Sequence, residues 1–211
     1  MGLAAAFHQR GATVIIASRT EAKLQAVAAQ YLGMELEILN VAGPGSISSC
    51  VIRVAARHPS LNLLINNAGV QQIINFALPE SYDPILLGQE IDINFKGLIN
   101  VTNAFLPLLK RQPTARLVHM GSGLGYIPLT AAPIYSATKA AVHSFTISLR
   151  RQLKGGTVQV IEIIPPVVRL TCTEVKLDSF LMRLTSIPLS KVRWLVLTED
   201  KMRSMWGWRG C

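Results

Sequence analysis

Tyr135 and Lys139 stand four residues apart in Tyr135-Ser-Ala-Thr-Lys139, within a segment that reads as helix. On a helix, positions i and i+4 share a face, so a phenol and an ammonium group come to one small site. The positive charge favours the tyrosinate and lowers the phenol from its ordinary value of about 10. A tyrosine tuned in that way exchanges a proton with an alcohol near neutral pH. Taken alone, the pair also fits an ordinary contact on a surface helix. Ser122 adds weight. It lies thirteen residues earlier, in Met120-Gly-Ser-Gly-Leu-Gly125, at the end of a predicted strand. Reactive groups of open α/β sheets collect beyond the carboxyl ends of the strands. A hydroxyl there can hydrogen-bond a substrate oxygen, and the flanking glycines leave room for a ligand. The competing reading is a plain turn, in which Ser and Gly are common.

Asn66-Asn-Ala-Gly69 closes another predicted strand. Its small residues and amides can floor a site for a flat ring, or simply make a turn. Asn94, in Asn94-Phe-Lys-Gly97, falls inside a long helical stretch. Such an Asn either bonds locally or serves the chemistry.

The elements that must position these residues alternate. Strand-like runs cover 13–19, 34–41, 61–65, 115–120 and 158–164, the last stopped by Pro165-Pro166. Helix-like runs cover 3–10, 21–31, 46–57, 89–110 and 135–153, the last ended by Gly155-Gly156. Buried strands joined by crossover helices predict an α/β fold with a Rossmann-like doubly wound parallel sheet. No strand precedes the first helix, and the pattern fades after Pro166.

Composition fits that fold. The 211 residues are half hydrophobic, enough for a core, with a mean hydropathy of +0.35. No apolar run reaches the ~18 residues of a membrane helix. Strands buried on both faces account for the hydropathy. The start lacks the basic region of a secretory signal, and Ala6 stands where a myristoylation site wants Ser or Thr. Cys50, Cys172 and Cys211 are scattered and suggest neither a disulfide framework nor a metal site. A reducing compartment fits, and the cytoplasm is expected. The net charge of +9 is spread without a dense run, so a solvated basic surface with a pocket for a phosphorylated cofactor is expected rather than a nucleic-acid partner.

Taken in order, Asn-Asn-Ala-Gly, the helical Asn, the Ser and Tyr-x-x-x-Lys resemble the classical short-chain dehydrogenase/reductase family over roughly residues 2–168. The stretch from Leu117 to Arg150 looks most like its DltE-like oxidoreductases. The resemblance implies catalytic roles for Asn94, Ser122, Tyr135 and Lys139. Tyr135 would be the general acid/base. Lys139 would lower its pKa and hold the nicotinamide ribose. Ser122 would polarise the carbonyl, and Asn94 would hold a water in a proton relay. Asn67, Ala68 and Gly69 would line the cofactor cleft. Asn40 and Val41 would flank the adenine, although the family usually has Asp where Asn40 stands. Pro165, Pro166 and Val168 would meet the carboxamide end. In the family, an acidic residue after its second strand, the run 13–19 here, would bind a ribose diol; Ser18-Arg19 stands there instead, and Arg can clamp a 2′-phosphate, so NADP(H) is expected over NAD(H). A small carbonyl or alcohol substrate, no transmembrane span and a homodimer or homotetramer are expected.

Two departures qualify this. The family opens with a strand and Thr-Gly-x-x-x-Gly-x-Gly, whose glycines let the backbone approach a pyrophosphate. Gly2 matches only the last of these glycines, so the chain reads as truncated, with two strand edges left open in mid-sheet. In addition, Leu170 falls where the family has Thr, with Thr171 or Thr173 as substitutes after a shift. Residues 169–211 read as a divergent C-terminal segment beside a core of 1–168, from either a divergent substrate loop or a disrupted reading frame. Two functions therefore stand open: hydride transfer between a nicotinamide and a carbonyl, or an inactive relative acting through protein association.

Overall fold

The order of elements follows the alternation of β-branched and Ala/Leu-rich runs. The computed structural model describes residues 2–78, 80, 83–165 and the strand 193–197. Helix α1 (Gly2–Gln9) turns through Gly11, at φ +83°, into β1 (Thr13–Ser18). A residue with a side chain would be strained in that left-handed conformation. Next come α2 (Glu21–Gln30), β2 (Glu35–Ile38), α3 (Pro44–Arg57) and β3 (Leu63–Asn66). Pro44 opens α3 at a position whose N–H would have no helical partner anyway.

The predicted helix at 89–110 is three pieces. Helix α4 (Pro84–Ile91) starts earlier than expected, because the Asp83 carboxylate accepts from the Ile85 and Leu86 amides at 2.8 and 3.3 Å. A π-helical turn, Asp92–Gly97, joins it to α5 (Leu98–Lys110). Gly97 lets this turn pack closely on the segment after β2: a Cβ there would lie 2.9 Å from the Val41 carbonyl oxygen. Then follow β4 (Ala115–Met120), a 3-10 turn at Gly123–Gly125, α6 (Pro133–Gln152) and β5 (Val158–Ile163).

All pairings are parallel, and the strand order is β2-β1-β6-β3-β4-β5, with β6 being Arg193–Leu197. The chain is thus an α/β protein with a doubly wound sheet. The expected open edges in mid-sheet are not open. Strand β6, from the segment whose pattern fades, pairs Val14 with Trp194 on one side and Leu63 with the same residue on the other. Its backbone groups satisfy two strands that would otherwise bury unpaired N–H and C=O groups.

Each face of the sheet carries its own core. Ile15, Ala17, Leu64 and Leu117 pack with Val54, Val101 and Phe105 from α3 and α5. Val14, Ile16, Leu63 and Ile65 pack on the opposite face with Ala4, Phe7 and Leu24 from α1 and α2. Neighbouring strand residues point to opposite faces, so apolar residues in both registers are needed.

Candidate functional site

Parallel strands put all their carboxyl ends on one side of the sheet. Ser18 and Arg19 end or follow β1, Asn40 and Val41 follow β2, and Asn66 to Gly69 end or follow β3. Met120 to Ser122 end or follow β4, and Pro165 follows β5. These strand-end residues therefore share one edge. Pro166, Val168, Leu170, Thr171 and Thr173 lie outside the described residues.

Helix α6 presents Tyr135, Lys139 and His143 at successive i+4 positions, one above another. Tyr135 and Lys139 are buried, at 5% and 3% exposure. The Lys139 Nζ lies 5.5 Å from the centre of the Tyr135 ring and donates to the Met120 carbonyl oxygen at 2.8 Å. Among the described residues that carbonyl is the one acceptor it uses. Burial pulls the Lys139 ammonium down to about 8, against the Glu162 carboxylate, which raises it.

The Tyr135 phenol departs from the sequence expectation. Burial pushes it above its ordinary value, a hydrogen bond with Ser122 pulls it down, and the Glu90 carboxylate pushes it up. Burial wins, and one Lys139 N–H is turned to Met120. Ser122 also caps the 3-10 turn, its Oγ accepting from the Leu124 amide at 3.1 Å. Two of the glycines around it are closely packed. A Cβ at Gly121 would lie 2.5 Å from the Glu162 Oε1, and one at Gly125 would lie 2.9 Å from the Lys139 backbone. The Gly123 amide donates to the Pro165 carbonyl at 3.3 Å, tying the ends of β4 and β5 together.

Asn94 sits in the π turn, 1% exposed, and bonds across elements rather than locally. Its Oδ1 accepts from the Val70 amide at 2.8 Å, and its Nδ2 donates to the Val70 carbonyl at 2.8 Å and the Thr138 hydroxyl at 3.2 Å. Gly69 lies between Asn94 and Lys139: a Cβ there would be 3.4 Å from the Asn94 Oδ1 and 3.8 Å from the Lys139 Nζ.

The predicted cofactor-binding residues are less closely gathered. Gly2 starts α1, at the opposite end of the helix from the Gly11 turn. Ser18 is buried, while Arg19 is exposed with no partner among the described residues. The Asn40 Oδ1 accepts from the Ala42 amide at 3.1 Å, and the Ser46 hydroxyl accepts from the Asn40 amide at 2.9 Å. Val41 is core, packed against Gly97. Asn67 and Ala68 are half-buried, and Pro165 is exposed.

Sequence reasoning missed four residues beside the pair. Thr138 anchors Asn94. His143 holds the Glu162 Oε2 at 2.7 Å. Glu90, on α4, is fully buried with no hydrogen bond of good geometry to either oxygen. Burial raises it to about 7, and the Gln72 backbone amide only partly offsets this. The signals were present: His143 lies one turn after Lys139, Glu90 one turn before Asn94, and Glu162 alone in an apolar strand. Deeper in, Asn66, Thr102, His119 and Thr146 form a buried hydrogen-bonded chain at 2.9, 3.1 and 2.8 Å.

Fold and site together define a Rossmann-like protein with a buried tyrosine–lysine pair at the carboxyl edge of its sheet. The chain belongs to the short-chain dehydrogenase family, whose model matches residues 1–180. It is 38% identical over 158 residues to the uncharacterized oxidoreductase DltE of Bacillus subtilis (strain 168), covering 75% of this chain and 62% of that protein. The match thus spans less than two thirds of that relative. It is 32% identical over 167 residues to the NADP-dependent 3-hydroxy acid dehydrogenase YdfG of Shigella flexneri, covering 77% of this chain and 65% of that protein. Serine dehydrogenase from Escherichia coli has the same fold, with a TM-score of 0.78 and 25% identity over 96% of this chain and 93% of that one.

Proposed function

We propose that the chain binds NADP(H) at the carboxyl edge of the sheet and catalyses reversible reduction of a small carbonyl compound to an alcohol. The observation that carries this is the buried Tyr135–Lys139 pair on one face of α6, with Ser122 hydrogen-bonded to the phenol. The residues present fit a nicotinamide ribose: Lys139 keeps N–H groups that Met120 does not use, beside the side-chain-free Gly69. Arg19, exposed and unpaired among the described residues, suits a 2′-phosphate. The YdfG relative is NADP-dependent by name, which supports the same preference.

A bound nicotinamide supplies or takes up the hydride. The chain's own residues handle the proton and the geometry. Tyr135 gives its phenol proton to the carbonyl oxygen during reduction and recovers it during oxidation. Ser122 hydrogen-bonds the same oxygen and orients it. The Lys139 ammonium stabilises the tyrosinate left behind. Asn94 fixes the Gly69–Val70 floor, and the second lone pair of its Oδ1 is left to hold a relay water. Asn67, Ala68 and Pro165 border the cleft, with Val168 assigned there by resemblance alone.

The test is NADPH oxidation by the purified full chain with aldehydes, ketones and 3-oxo acids, alongside Tyr135→Phe. Activity in the parent chain, and a ~10²–10⁴-fold loss in a folded Tyr135→Phe variant, are expected. Equal rates in both would overturn the assignment. A larger thermal shift with NADPH than with NADH, lost in Arg19→Glu, checks the cofactor preference.

A further inference from the structure

A second acidic group approaches the Tyr135–Lys139 pair from behind. Glu162 projects from β5 and its side chain is 5% exposed. Its Oε2 is held by the His143 Nδ1 at 2.7 Å, while its Oε1 is buried without a hydrogen-bond partner. The Tyr126 hydroxyl reaches the same imidazole nitrogen at 2.6 Å, and its ring packs on His143 with centroids 4.6 Å apart. The orphaned Oε1 lies under Gly121, which has no side chain to block it: a Cβ there would come within 2.5 Å. Lys139 bonds the carbonyl of Met120, the residue before Gly121. The carboxylate and the ammonium thus flank one peptide turn, and no Lys139–Glu162 ion pair forms within contact distance.

We propose that Glu162, held by His143, is the counter-charge of Lys139, a positioning residue that holds the lysine in its ammonium form from behind the site. A buried ammonium with no carboxylate near it gives up its proton, because desolvation penalises the charged form. Neutral Lys139 could not stabilise a tyrosinate. Glu162 opposes that loss, and its influence on Lys139 is of the required sign. His143 in turn supplies the hydrogen bond that satisfies the Glu162 Oε2 in its buried position.

Other charges face the pair from each neighbouring element. Glu90 acts from α4 on Tyr135, and His119 on β4 is pushed down by burial, by Arg150 and by Lys139. Asp92 and Lys96 of the π turn pair with each other and are solvated. Arg150, on α6, is exposed and bonded to the Val160 carbonyl. Among the charges acting on Lys139, Glu162 is the one that favours the ammonium form.

This inference rests on the proposed role of Lys139 for its meaning, but its test does not need turnover. Lysine labelled at Cε reports the Lys139 titration by NMR in the full chain, with Lys139→Met identifying the resonance. Glu162→Gln should lower the Lys139 midpoint by ~1 pH unit or more, a roughly tenfold fall in the ammonium-to-amine ratio at fixed pH. Glu162→Asp, which keeps the charge, should hold it closer to the parent value. His143→Leu should move it in the same direction as Glu162→Gln, by less. A folded Glu162→Gln with the parent midpoint would overturn the proposal. If Glu162→Gln does not fold, an unchanged midpoint in His143→Leu does so instead. An inactive parent chain with the expected Lys139 shift would refute the enzymatic reading and leave this one standing.

Discussion

Asn94 grips the backbone of Val70 with both halves of its amide, accepting from the Val70 N–H and donating to the Val70 C=O, each at 2.8 Å. An extended backbone edge is held as a neighbouring strand would hold it, but by one side chain. The grip fixes the floor beneath Lys139 and joins the end of β3 to the π turn.

Asn94→Ala should therefore cost stability as well as activity. It strands a buried N–H and C=O, each worth about 1–3 kcal/mol when left unsatisfied. Urea denaturation should show a loss of at least that size. Asn94→Asp should remain destabilised, because a carboxylate cannot donate to the Val70 carbonyl. Parent-like stability in both variants would contradict the account.

Glu90→Gln should stabilise the fold in alkali. Burial raises the Glu90 carboxyl from 4.5 to about 7, so between those values the folded state holds a proton that the unfolded state has released. Stability then falls as pH rises across that window. Glutamine removes this slope. Denaturation at pH 5 should show little difference between parent and variant, and at pH 8 the variant should be the more stable. Removing the Glu90 charge should also move the Tyr135 titration down, since that charge pushes the phenol up.

His119 predicts the opposite slope in acid. Its imidazole, fully buried between Thr102 and Thr146, is held down at about 4 by burial first and by Arg150 and Lys139 next. Between pH 6.5 and 4 the unfolded state binds the proton and the folded state does not, so stability is lost as pH falls. The contribution is on the order of 3 kcal/mol at most. His119→Gln should lack this slope, and equal slopes in the two proteins would rule it out.

Leu195→Pro tests β6. Proline removes a donor from a strand bonded on both sides, where proline is hardly ever found. The variant should lose cooperative unfolding and become sensitive to protease in residues 2–165. An unaltered denaturation midpoint would mean that the sheet does not depend on β6.

Much of this was legible from local pattern. Five strands, most of the helical segments and the α/β class follow from apolar runs and turn residues, because periodicity is a property of neighbouring positions. The Tyr135–Lys139 pair was legible for the same reason: four residues on a helix is a distance. Longer-range facts were not. The strand Arg193–Leu197 carries no mark saying that it belongs between β1 and β3, since a parallel strand buried on both sides reads alike in any central position. The glycines around Ser122 read as space for a ligand, and only packing shows Glu162 and the Lys139 backbone filling that space. The direction of the Tyr135 shift went the same way. A nearby lysine was visible in the sequence, but burial and Glu90, set by α4 packing on α6, decide the sign. The sequence alone determined which residues share a face, whereas the tertiary structure decided which charges face them, because electrostatic energy depends on burial and separation through space and not on separation along the chain.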